Sequence, residues 1–187
     1  MSMQNFQHNI TKNFSNNLKK LGEFFEDLNK QIPSENVRQV LSHALDWLRP
    51  YFAAFGFRIS RLNQELIEIV IPLEEQNRDQ QGRPLEGVVV FAACEAYKIL
   101  WKKQFEKDQL RIQIEKVEMQ TANDPKTELR IRYEISGLQK EVVISEIDNL
   151  KKCKQEALLL GYDENDQLCV EIKIEAALTY NALLDWK

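Results

Sequence analysis

Apolar residues occupy every second position from 168 to 180. Leu168, Val170, Ile172, Ile174, Ala176, Leu178 and Tyr180 alternate with Cys169, Glu171, Lys173, Glu175, Ala177 and Thr179. A period of two sustained over that length fits a strand with one dry face and one wet face. Such a strand belongs to an antiparallel sheet that is solvated on one side and must be covered on the other. The pattern recurs upstream: Leu129, Ile131, Tyr133 and Ile135 alternate with Arg130, Arg132 and Glu134, and Leu110, Ile112 and Ile114 alternate with Arg111, Gln113 and Glu115. Beyond Glu115 the apolar phase slips to Val117 and Met119, which predicts a bulge or bend. Residues 156–162 give a further strand, joined to the last by the loop DENDQ. Gly137 is expected to break the strand before it, and residues 142–150 to form a short helix with Val143, Ile147 and Leu150 on one side.

The cover for the sheet is the least polar stretch of the chain, GVVVFAACEAYKILWKKQF. It is too long for one strand, and its second half holds the helix formers Ala92, Ala93, Glu95, Ala96, Lys98 and Leu100. A buried helix over residues 87–104 packed against five or six antiparallel strands is therefore expected. Residues 74–86, EEQNRDQQGRPLE, form a polar surface loop ahead of it. Before the loop, Phe57 and Ile59, then Ile67, Ile69 and Ile71, read as a hairpin turning at Asn63-Gln64. The first third changes period. Phe6, Ile10, Phe14, Leu18, Leu21, Phe24, Phe25 and Leu28 recur every three or four residues, and Ser34 opens a second helical pattern that Pro50 should end. The fold class is thus α+β, with residues 1–46 a helical extension and residues 47–187 the sheet domain.

Composition removes several classes of function. Of 187 residues, 43% are hydrophobic and 29% charged, with a formal net charge of −4. That is a globular balance, and an acidic surface does not suit a nucleic-acid partner. The longest apolar run, residues 88–94, falls far short of the ~20 residues that span a bilayer. Cys94, Cys153 and Cys169 show neither disulfide nor zinc spacing, and the polar start lacks a signal-peptide core, so a reduced, cytoplasmic protein is expected. His8 and His43 have no Cys, Ser or acidic partner at a familiar spacing. Neither a metal nor another cofactor is expected.

The order of hairpin, polar loop, buried helix and long antiparallel meander resembles the hotdog fold, in which a curved sheet wraps one central helix. The local residues are similar to those of hotdog acyl-CoA thioesterases of the phenylacetate-pathway type. Those enzymes carry a loop with Asn and Gly, a His-Gly-Gly helix start, and an acidic residue nine positions after the His. Here the loop holds Asn77 and Gly82, the helix start reads Glu86-Gly87-Val88, and Glu95 stands nine after Glu86. The His position is taken by Glu86 and the second Gly position by Val88. The short helix between two late strands resembles a thioesterase-like hotdog subfamily of unassigned function. The resemblance covers residues 48–181 and implies hydrolysis of acyl-CoA or another acyl thioester, by a homodimer with its site between protomers. It assigns Glu95 as base or nucleophile, Asn77 and Gly82 to substrate binding, and Gly87 and Val88 to the oxyanion.

The chemistry of those residues stands by itself. Unpaired N–H groups at a helix start can polarise a thioester carbonyl and hold the oxyanion formed on attack. A carboxylate two turns further in can activate water or attack directly. The structural alternatives are as definite. Glu95 can pair with Lys98 at i+3 on a wet helix edge, Asn77 and Gly82 can be plain turn residues, and Glu86 can be an acid favoured at a helix start. A catalytically silent hotdog protein that binds an acyl chain or a protein partner is the second function expected from the same residues.

Overall fold

The computed structural model describes residues 50–105, 110–125 and 127–180. The helices expected between residues 6 and 48 lie outside the described residues, as do His8 and His43. The chain divides into two units, Met1–Phe57 and Arg58–Lys187. The described part of the first holds one helix, α1, Pro50–Phe55. It ends at Gly56, which takes a left-handed φ of 66°. The Phe57 N–H returns to the Phe52 carbonyl at 2.9 Å, and the two rings meet edge to face with centroids 5.5 Å apart. That is a glycine-terminated helix end, closed by the apolar contact that commonly goes with it.

Among the described residues, the second unit is a six-stranded, wholly antiparallel sheet with two α-helices. Its strands are β1 Arg58–Leu62, β2 Leu66–Ile71, β3 Leu110–Thr121, β4 Leu129–Glu134, β5 Lys152–Tyr162 and β6 Leu168–Tyr180, and its helices are α2 Glu86–Lys102 and α3 Gly137–Leu150. The order across the sheet is β1-β2-β4-β5-β6-β3. Register follows the alternation in the sequence. Ile69 pairs with Ile131, Ile131 with Gly161, and Leu159 with Ile172, so these residues share one face. The bulge expected in β3 falls between Ile114 and Lys116. One inserted residue, Glu115, restores Val117 and Met119 to the face of Ile112 and Ile114.

Helix α2 covers that inner face and packs on β2, β4, β3 and β6. It is buried nearly all round: Val88, Val89, Ala92, Ala93, Ala96, Tyr97, Ile99, Leu100 and Trp101 are all buried. Burial therefore holds the valines of its first turn in a helix despite their strand preference. The Trp101 indole N–H donates to the Tyr133 hydroxyl at 3.0 Å, which satisfies a polar atom at the centre of the core. Helix α3 lies on the same side of the sheet, since Gln139 reaches Gln155 and Glu146 bonds Cys153, both from inward positions on β5. It starts at Gly137 rather than at 142, with the Ser136 hydroxyl accepting from the Gln139 N–H.

The outer face is polar. Lys116 pairs with Glu118 at 2.8 Å and Glu175 at 3.3 Å, and Lys154 pairs with Glu115 at 2.9 Å. Glu68, on β2, is a buried carboxylate on this face. Burial pulls its carboxyl pKa up, but hydrogen bonds from Ser60 and Arg132 and the charges of Arg132 and Arg61 outweigh that and hold it below the usual value.

Candidate functional site

The loop 72–85 sets the start of α2 and hangs on Asn77. Its side-chain amide donates to the Pro72 carbonyl at 2.7 Å, its N–H to Glu74, and its carbonyl accepts from the Leu85 N–H at 2.8 Å. Asn77 is fully buried, so it fastens the loop to the residue that caps α2. The tip is a tight turn held by Asp79. One carboxylate oxygen accepts from the Gln81 and Arg83 N–H groups, both at 2.9 Å, and the other from the Arg83 guanidinium at 3.0 Å. Gly82 completes the turn with φ 82° and open space where a Cβ would be. That is a position glycine fills without strain.

At the start of α2, Gly87 is exposed and nothing stands within 4 Å of where its Cβ would be. Val88 is buried. Its N–H donates to the Leu85 carbonyl at 2.9 Å, a carbonyl shared with Val89 at 3.1 Å. Of the two amides singled out for an oxyanion, the one at Gly87 is therefore the open one.

Glu95 lies in the middle of α2 and is only 1% exposed. Its Oε1 accepts from the Lys98 ammonium at 3.1 Å, and the Lys98 side chain is 27% exposed. The pairing with Lys98 is thus present, but Glu95 is buried and not on a wet helix edge. Gly87 and Glu95 are eight residues apart on one helix, about 12 Å along its axis. A carbonyl held at the Gly87 N–H is thus two turns of helix from the Glu95 backbone of the same chain. The thiols offer no substitute nucleophile. Burial raises the Cys94 and Cys169 pKa values, and burial with the Glu146 hydrogen bond pushes Cys153 up to about 11. All three stay protonated near neutral pH, and the thiolate is the reactive form.

A cavity of about 400 Å³ opens at the start of α2. Asp79, Arg83, Pro84, Leu85, Glu86 and Val89 line it on the loop and helix side, and Met119, Thr121, Asp124, Pro125 and Val170 on the side of β3 and β6. None of Asn77, Gly82, Gly87, Val88 and Glu95 is among these lining residues. The structure therefore brings Glu86 and the loop tip to the cavity and leaves Glu95 out of its lining. The β3 contribution was hidden in the sequence because it depends on a long-range approach. The slipped phase at Val117 and Met119 was the only local sign of it. Among the described residues, no group of three or more His, Cys, Asp and Glu side chains is placed to hold a metal ion. None of the described helices is long and apolar enough to cross a membrane.

A six-stranded antiparallel sheet covered by a central helix is an architecture shared with solved thioesterase-family structures. A Pseudomonas aeruginosa protein of unknown function, described as a probable thioesterase, superposes with a TM-score of 0.68 at 15% identity, over 80% of this chain and 97% of that one. A Chlorobaculum tepidum protein of unknown function gives 0.65 at 13% identity, over 79% and 96%. A thioesterase from Haemophilus influenzae gives 0.58 at 13% identity, over 83% and 95%. At these identities the likeness is one of fold. Neither a family model nor a curated protein matches the sequence.

Proposed function

We propose that this chain is a hotdog-fold hydrolase of acyl thioesters, with Glu95 as the general base and the Gly87 N–H as an oxyanion donor. The carrying observation is a carboxylate 1% exposed at mid-length of the central helix, on a fold shared with structures described as thioesterases. A carboxylate is seldom buried without a partner, and Glu95, nine residues after Glu86, stands where the resemblance puts the catalytic acid. Because about 12 Å of helix separates Glu95 from Gly87 within one chain, the working site pairs Glu95 of one protomer with Gly87 of the other in a two-fold dimer. Asn77 acts through the loop it fastens, and acyl-CoA is the first substrate class to try. The test is hydrolysis of a panel of acyl-CoAs and other acyl thioesters by the wild type and by Glu95→Gln. The substitution is nearly isosteric, so the fold should persist while the rate falls by roughly 10²–10⁴, the usual worth of a general base. A Glu95→Gln variant with wild-type turnover refutes the assignment.

A second reading is a silent hotdog protein that binds an acyl chain or a partner. The position of Glu95 outside the cavity lining and the Val88 N–H already spent on Leu85 favour it. Saturable binding of an acyl thioester that is released unhydrolysed would decide for it.

A further inference from the structure

We propose that Lys98 is a positioning residue for Glu95, holding the carboxylate in the rotation from which it takes a proton from water. The inference rests on Glu95 being the base. A charged carboxylate taken out of water needs a cation or strong donors to remain charged and fixed. Lys98 supplies one at 3.1 Å from Oε1, from one turn further along α2. Side chains on a helix lean toward its N-terminus. The Lys98 stem therefore reaches back over Glu95, and the carboxylate it holds leans toward the helix start.

The surroundings give the pair more than a structural part. Lys98 belongs to a stripe of α2 that is not fully covered: Gly87, Phe91, Cys94 and Lys98, spaced by four, three and four residues, are all exposed or half-buried. One partner of the pair is buried and the other opens to this stripe, with side-chain exposures of 2% and 27%. Water or substrate entering along the stripe reaches Glu95 beside the ammonium that orients it. An ordinary surface i,i+3 pair has both ends in solvent and orients nothing.

The experiment measures kcat, KM and thermal stability for wild type, Lys98→Met, Lys98→Arg, Glu95→Gln and the Lys98→Met/Glu95→Gln double variant. Misplacing a catalytic group by about 1 Å costs about 10²-fold. Lys98→Met is therefore expected to lower kcat by about 10–100-fold with KM within about twofold of wild type. Lys98→Arg should recover most of that loss, since it restores a cation of similar reach. The double variant should be no slower than Glu95→Gln alone, because the two residues act as a unit. If Glu95→Gln is inactive while Lys98→Met keeps wild-type kcat, the positioning role is overturned and the base assignment stands. The same holds if the two losses multiply in the double variant. If Glu95→Gln is as active as wild type, or the wild type is inert toward every thioester, the base assignment falls and takes this inference with it. A drop in stability of Lys98→Met with kcat intact marks a structural ion pair only and likewise overturns the proposal.

Discussion

Gly161 lies in β5 between Ile131 of β4 and Val170 of β6. A Cβ there would sit 2.4 Å from Val170 Cγ2, 2.9 Å from Ile131 Cδ1 and 3.3 Å from Leu129 Cδ1. Those neighbours are buried strand side chains with little room to turn, so Gly161→Ala overpacks the sheet. Overpacking of this kind costs about 1–3 kcal/mol, and for a chain of this size each kcal/mol lowers Tm by roughly 2–4 °C. A thermal melt should show that loss, and an unchanged Tm would contradict the packing described. A glycine inside an alternating run was visible in the sequence, but its reason was not, since the close approach involves two other strands. Glu95 teaches the same lesson. Its chemistry and its i+3 neighbour Lys98 were legible, because both are local. Its separation from the cavity formed by Asp79, Glu86, Met119 and Asp124 was not, because β3 meets the loop 72–85 only through the tertiary fold.

The strands were the most legible elements, because alternation over ten or more residues has one physical solution and burial enforces it. Even the bulge in β3 showed as a slipped phase. Helix α3 was harder. Only Val143 and Ile147 are buried along its 14 residues, which is too sparse a period to mark its first turn. Leu150, expected on the buried side, is 64% exposed, and Leu138 and Val142 point outward as well. Gly137 does end the extended stretch, but it does so by opening the helix at once, with Ser136 as its cap. A helix this thinly buried leans on its cap. Ser136→Ala should cost about 1 kcal/mol, seen as a lower urea midpoint at unchanged slope, and Ser136→Asp should retain most of the stability. Equal midpoints for wild type and Ser136→Ala would show that α3 does not depend on that hydrogen bond.

At the scale of the whole molecule, the sheet ends on β3, which pairs with β6 along one side only. Among the described residues, no strand pairs with the other edge of its twelve residues. Long open edges tend to pair with another chain. The inward side chains of β3 point the same way: Ile112, Ile114, Val117 and Met119 are half-buried, while the β6 residues opposite them, Leu178, Ala176, Ile174 and Ile172, are almost wholly buried. Among the described residues, an apolar row is thus left half-covered. A two-fold pair that joins β3 to its own copy would close the edge and the row together, by the commonest symmetry among soluble oligomers. The 12 Å that keeps Glu95 from Gly87 within one chain adds a functional reason for the same pairing. Light scattering should therefore give twice the 22.0 kDa chain mass across micromolar concentrations. Val117→Lys, which places a charge in the half-covered row, should move that mass toward the monomer and lower any thioester hydrolysis with it. A wild type that stays monomeric over the same range would contradict the dimer and, with it, a site shared between two chains.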